Sequence, residues 1–129
     1  MLRGLRILVV EDERGVRLLL KRVLEDAGAT VTAVGSPTEA FAEFERAVPD
    51  VLVSDIRMPG GDGYELIRRV RALPAERGGR TPAVAVSASV DDPEIPKILA
   101  AGFQQFVRKP FEVAEVRDAV AAVTGRQHA

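Results

Sequence analysis

The chain has 129 residues, enough for one domain that buries about two thirds of its chain surface but too few for two full domains. Its 47% apolar and 29% charged content excludes a disordered, collagen-like or coiled-coil chain. Eighteen basic against nineteen acidic residues leave a net charge of -1, with no basic surplus for sequence-independent binding to phosphate backbones, and zero cysteines exclude disulfides, thiolate metal sites and a cysteine nucleophile.

Residues 7–10 are a continuous β-branched and Leu run, a strand buried on both faces. Val16, Leu19, Leu20, Val23, Leu24 and Ala27 then recur at three and four, marking one helix face that Gly28 terminates. Residues 30–34 give a second strand. Ser36, Pro37 and Glu39 sit at N-cap, N1 and N3 of the next helix, a capping-box arrangement, with Ala40, Phe41, Phe44, Ala47 and Val48 inward and Pro49 as the stop. The third strand is 51–54, followed by a Pro/Gly-rich loop over 57–63, in which Asp62 and Gly63 read as turn residues. A helix follows with Leu66, Ile67, Val70 and Leu73 inward, then a polar loop over 76–80 and a fourth strand at 83–87. The next helix spans about 95–101, because Pro93 and Pro96 suit only a loop or a first turn. A fifth strand at 105–108 precedes a last helix lined by Val113, Val116, Val120 and Val123, ending near Gly125, and the tail 126–129 is expected to fray. Five βα units in strict alternation imply an α/β fold: a doubly wound, five-stranded parallel sheet with helices on both faces. The whole chain reads as one domain with a core over 5–124. No apolar run approaches the roughly 20 residues that span a bilayer, and no signal peptide is evident, so the expectation is a cytoplasmic protein without membrane insertion.

In an open α/β sheet, ligands bind beyond the carboxyl ends of the strands. Those ends carry Glu11, Asp12 and Glu13 after the first strand and Asp55 after the third. Ser87, Ala88 and Ser89 follow the fourth, and Lys109 with Pro110 the fifth. If the first and third strands are neighbours, Glu11, Asp12 and Asp55 converge, and two such charges at 4 Å repel by about 4 kcal/mol at an effective dielectric near 20. A hard divalent cation relieves this, and Mg²⁺ suits a site of carboxylates, a carbonyl and waters. Lys109 adds a compact positive charge for an incoming phosphoryl oxygen. Ser87 adds a hydroxyl donor, and the small Ala88 leaves its main-chain N–H approachable. Together these describe an aspartyl-phosphate site. Glu11 and Asp12 also suit a capping role at the first helix. Glu13 reads as a solvated first-turn acid, and the lone His128 carries no chemistry.

The stretches ILVVEDE (7–13) and DVLVSDIRMPGGDGY (50–64), Ser87 with Ala88, and RKPF (108–111) resemble the receiver domain of two-component response regulators, the CheY-like superfamily. Four motifs in order, each at a strand end, cover nearly the whole chain from Leu5 to about Thr124. The resemblance implies the flavodoxin-like strand order 2-1-3-4-5, with no effector domain after the last helix. It implies Asp55 as phosphoacceptor and Mg²⁺ ligand, Asp12 as a direct Mg²⁺ ligand, Glu11 as a ligand through water, and Arg57 as a ligand through its main-chain carbonyl. Lys109, Ser87 and the Ala88 N–H would contact the phosphoryl group, Ser87 and Phe106 would form the switch, and the Lys109–Pro110 bond would be cis. Phe106 also reads as an ordinary core aromatic.

The implied function is to accept a phosphoryl group from a histidine kinase phosphohistidine and signal through the fourth helix, fifth strand and fifth helix. The protein would be no enzyme beyond catalysing its own phosphorylation and slow dephosphorylation. Its partners would be a sensor histidine kinase or phosphotransfer protein and a downstream protein target, with no direct nucleic acid. A monomer is expected, with a phosphorylation-dependent dimer as the alternative. Gly61 replaces the usual apolar loop residue, Pro93 and Pro96 alter the fourth helix, Phe106 replaces the commoner Tyr, and Gln104 and Gln105 stand where DNA-binding winged-helix members carry an acid. The segment 71–82 resembles receivers carried by hybrid sensor kinases, so an excised hybrid-kinase receiver is a second reading, with the stand-alone form preferred because the chain opens with Met1. A haloacid-dehalogenase-type phosphatase is a rival, but it needs Asp-x-Asp, whereas Asp12 is followed by Glu13 and Arg14. A flavodoxin-like electron carrier would have its phosphate repelled by Glu11–Glu13. A docking-only pseudo-receiver would lack an acid or the lysine.

Overall fold

The computed structural model describes residues 2–58, 62–87 and 94–125. Its strands are β1 (Arg6–Val10), β2 (Thr30–Val34), β3 (Val51–Asp55), β4 (Ala83–Ser87) and β5 (Gln105–Arg108), and its helices are α1 (Arg14–Asp26), α2 (Pro37–Arg46), α3 (Gly63–Arg71), α4 (Glu94–Ala101) and α5 (Val113–Val123). All strand pairs are parallel, in the order β2-β1-β3-β4-β5. The expected architecture and strand order are therefore both observed.

Side-chain alternation along the strands builds two cores. Ile7, Val9, Val51, Val53, Val84 and Val86 join Leu20 and Leu24 of α1 and Val116 and Val120 of α5 on one face. Leu8, Val10, Leu52, Ala83 and Ala85 join Phe44 of α2, Leu66 and Ile67 of α3 and Ile98 of α4 on the other. A strand buried on both faces cannot slip by one residue without exchanging these sets, which fixes the register Ile7 to Val51 and Val10 to Ser54.

Helix ends follow the expected signals in most places. Ser36 caps α2, accepting from the Glu39 N–H at 3.2 Å, while the Glu39 carboxylate takes the Ser36 hydroxyl. Gly28, at φ +107°, adopts the left-handed conformation that ends α1. The loop over 76–80 includes a 3-10 turn at Ala75–Arg77. Arg71, at the end of α3, gathers it by donating to the carbonyls of Gly79, Thr81 and Gly102.

Two inward assignments are corrected. Leu19 is 48% exposed, because the buried stripe of α1 is set by Leu20, Val23 and Leu24. One residue is about 100° of helix, which turns Leu19 onto the rim beside Val16, Lys109, Pro110 and Phe111. Val113 is 50% exposed, because α5 first reaches the core at Val116.

Candidate functional site

The strand order reverses between β1 and β3, and the crevice beyond their carboxyl ends is the ligand position of such sheets. β1 delivers Glu11, fully buried, followed by exposed Asp12, and β3 delivers Asp55, 6% exposed, as its last residue. One carboxylate oxygen from each of these three lies within 4.8 Å of the others. The convergence expected from the strand ends is thus present, and with it the electrostatic demand for a cation.

β5 supplies the compensating charge across the sheet. Lys109 Nζ lies 2.6 Å from Glu11 Oε1 and 3.4 Å from Asp55 Oδ2. The Lys109–Pro110 bond is cis. Burial alone would lower the Lys109 pKa, but its hydrogen bond to Glu11 and the charges of Asp55 and Glu11 raise it, so the ammonium is retained. Burial pushes the Glu11 carboxyl above its usual range, against the pull of Lys109 and of the Glu13 N–H, which donates to Glu11 Oε2 at 3.1 Å. Asp55 Oδ1 accepts from the Ile56 N–H at 2.8 Å, which orients the carboxylate. Arg17 Nη1 donates to the Glu11 carbonyl at 2.9 Å, tying α1 to the same strand end.

Ser87 ends β4, 1% exposed, and its Oγ has no hydrogen-bond partner among the described residues. A buried hydroxyl without a partner is costly, and Ser87 directly follows Val86, the residue in register with Asp55. Three hard oxygen donors, this hydroxyl and one lysine fit Mg²⁺ together with a phosphoryl group. Phe106 is half-buried opposite Ala85, packed against the α2–α4 core with Arg108 over its ring at 5.8 Å. The Ala88 N–H lies outside the described residues, as do Ser89, Gly61, Pro93 and His128.

Three nearby residues have roles beyond expectation. Glu13 is exposed, as expected, and is also the N-cap of α1: its carboxylate accepts from Gly15 N–H at 3.1 Å and Val16 N–H at 2.7 Å, which lowers its pKa and relieves Glu11 and Asp12 of capping. Asp62 is the N-cap of α3, accepting from Glu65 N–H at 2.9 Å. Gly63 is packed against the acceptor strand: its N–H donates to the Ile56 carbonyl at 2.6 Å, and a Cβ there would sit 2.3 Å from the Asp55 carbonyl oxygen. The Asp62 and Glu65 spacing was a readable cap signal. Nothing local in sequence announces the Gly63 contact.

With this geometry in place, the comparisons agree. The family model of the response regulator receiver domain matches residues 7–121, and the chain belongs to that family. It is 43% identical over 110 residues to an uncharacterized 14.6 kDa protein in the sodA1 3' region of Leptolyngbya boryana, covering 85% of this chain and 82% of that one. The receiver domain of sensor histidine kinase PA1611 from Pseudomonas aeruginosa PAO1, solved with a magnesium ion coordinated in its active site cleft, superposes with a TM-score of 0.85 at 32% identity, over 95% of this chain and 98% of that one. The chemotaxis response regulator CheY4 of Vibrio cholerae gives a TM-score of 0.85 at 26% identity, over 92% and 98%. Two longer curated relatives are matched over only 30% and 18% of their own length. The phosphatase and electron-carrier readings fall away. Among the described residues, no helix is long and apolar enough to cross a membrane.

Proposed function

We propose that this receiver accepts a phosphoryl group on Asp55 from the phosphohistidine of a sensor kinase or phosphotransfer protein. The observation that carries the reading is the convergence of Glu11, Asp12 and Asp55 oxygens within 4.8 Å under a lysine that touches both buried acids. Asp55, oriented by the Ile56 N–H on Oδ1, presents Oδ2, the oxygen beside Lys109, to phosphorus; the new O–P bond forms as the P–N bond to the donor imidazole breaks. Asp12, Glu11 through water and the Arg57 carbonyl would hold Mg²⁺, which when bound neutralises charge on the transferring oxygens. Lys109 stays charged and stabilises the acyl phosphate, and Ser87 with the Ala88 N–H donates to its oxygens. Water later attacks phosphorus, releasing inorganic phosphate and regenerating the carboxylate. The protein is therefore its own substrate and not an enzyme acting on another molecule.

The same reading treats the chain as a single receiver unit in the cytoplasm. Its phosphorylated α4–β5–α5 face binds a downstream protein, with Ser87 and Phe106 as the switch, and it is a monomer, with a phosphorylation-dependent dimer as the alternative. The likeness to the PA1611 receiver supports the second context, a receiver serving a hybrid kinase.

Acetyl phosphate with Mg²⁺ tests the assignment by intact-mass measurement. One adduct of about 80 Da is expected for phosphorylation, and none for Asp55→Asn. Full labelling of the variant at another residue would overturn it.

A further inference from the structure

Glu94 opens α4 and reaches back to the connection that leaves Asp55. Its Oε1 accepts from Arg57 Nη2 at 3.0 Å and from the Tyr64 hydroxyl at 2.8 Å. Arg57 lies two residues beyond Asp55, and Tyr64 lies in the first turn of α3, so one carboxylate oxygen binds both flanks of the same connection. The Glu94 side chain is 13% exposed and Tyr64 is buried. The Lys97 ammonium, 4.8 Å from the Tyr64 ring centroid, adds a second tie from α4. Tyr64 follows Gly63, the residue packed on the Asp55 carbonyl, so the tie continues into the acceptor strand. Burial and the hydrogen bond to Glu94 push the Tyr64 phenol up to about 12.

We propose that Glu94 is a positioning residue for the cation site: by holding the Arg57 side chain and the Tyr64 hydroxyl on one oxygen, it fixes the connection whose Arg57 carbonyl is assigned to Mg²⁺, without itself touching the ion. The inference rests on the aspartyl-phosphate reading above. An exposed ion pair alone contributes little, but this acceptor is shared with a buried phenol and closes a path from α4 to the site. Groups that orient ligands without binding the metal set its affinity through the geometry they enforce.

Tyr64 is the single tyrosine and the chain has no tryptophan, so its emission reports this contact directly. A phenol that donates to a carboxylate is quenched. The test uses the full chain with Glu94→Ala, Glu94→Gln and Tyr64→Phe, measuring Mg²⁺ affinity by calorimetry, Tyr64 emission without metal, and thermal melts. Glu94→Ala is expected to brighten Tyr64 and raise the Mg²⁺ dissociation constant about tenfold. Glu94→Gln keeps an oxygen that accepts from both donors and is expected to recover most of that affinity. Tyr64→Phe, which removes one of the two donors, is expected to raise the constant by about threefold and serves if the alanine variant does not fold. An affinity within about twofold of wild type in folded Glu94→Ala and Tyr64→Phe overturns the role, because a purely structural contact shifts the melt and leaves metal binding alone. A glutamine variant as weak as the alanine one also overturns it. Wild-type protein that binds no Mg²⁺ defeats the proposed function itself, an outcome distinct from normal wild-type binding with unaltered variants.

Discussion

Lys109 rests on Glu11 at 2.6 Å, closer than its 3.4 Å approach to Asp55. The lysine is thus anchored by an acid with no solvent exposure before any phosphoryl group arrives. Lys109→Met leaves two buried carboxylates without their cation. The expected cost in EDTA is about 1–2 kcal/mol, below that of a fully buried pair because Lys109 keeps some solvent. Mg²⁺ should restore most of it by replacing the charge, with affinity undiminished. Urea denaturation in EDTA and in Mg²⁺ measures both effects, and wild-type stability in EDTA would count against the pairing.

Asp12 and Glu13 are neighbours with separable tasks. Glu13 closes the first turn of α1 through two backbone N–H groups, whereas Asp12 faces solvent beside the acid cluster. Glu13→Ala should lower the melting temperature through the lost N-cap and leave Mg²⁺ affinity unchanged. Asp12→Asn should do the reverse, weakening Mg²⁺ binding and slowing labelling with the melt intact. If the two variants exchange behaviours in calorimetry and thermal melts, the assignment is wrong.

The contrast shows what sequence could and could not reveal. Strand runs such as 7–10 and 51–54 were legible because burial on both faces requires uninterrupted apolar residues, and their ends named Glu11, Asp12, Asp55, Ser87 and Lys109 by position alone. Leu19 was misplaced because 3.6 periodicity gives a stripe but not its edge, and the edge is set by what lies opposite. Glu13 was missed because Glu is an uncommon N-cap and stood among acids with better reasons to be there. Glu94 left no trace at all, since it meets Tyr64 across 30 residues and Arg57 across 37. Long-range contacts of polar side chains have no period to read.

Gly63 is expected to be intolerant of any side chain. A Cβ would lie 2.3 Å from the Asp55 carbonyl oxygen and 2.9 Å from the Ile56 Cα, both backbone atoms that cannot swing aside. Gly63→Ala must therefore displace α3 or the end of β3, at about 2–3 kcal/mol, the upper part of the overpacking range. Asp55 labelling should slow along with the loss in stability. Wild-type melting and labelling in the variant would reject this packing.

Alkaline titration reads the environment of Tyr64. Its folded pKa of about 12 lies above the unfolded value near 10, so the folded chain holds the proton longer. The stabilisation from this group is whole below about pH 10 and is lost as pH rises toward about 12. The tyrosinate absorbance of wild type should therefore appear late, near 12 or with alkaline unfolding, and that of Glu94→Ala earlier. Ionisation near 10 in folded wild type would contradict the buried hydrogen bond.

Ser87 and Phe106 lie on adjacent strands, Ser87 in register with Arg108 and Phe106 with Ala85. The Ser87 hydroxyl is buried and without a partner among the described residues, and Phe106 is half-buried, neither seated in the core nor free of it. An acyl phosphate on Asp55 offers the Ser87 hydroxyl an acceptor. Drawing that hydroxyl toward the phosphoryl oxygens opens space beside β4, into which the Phe106 ring can settle. Because Phe106 has no hydroxyl to anchor it in solvent, its inward state should be populated before phosphorylation, and the modification should shift that equilibrium. Backbone and aromatic NMR with a beryllofluoride mimic on Asp55 should show changes through α4, β5 and α5, with Phe106 ring resonances moving along a line between two states. Ser87→Ala should still bind the mimic but lose the response at Phe106. Shifts confined to the surroundings of Asp12, Asp55 and Ser87 in wild type, with Phe106 unmoved, would reject the switch.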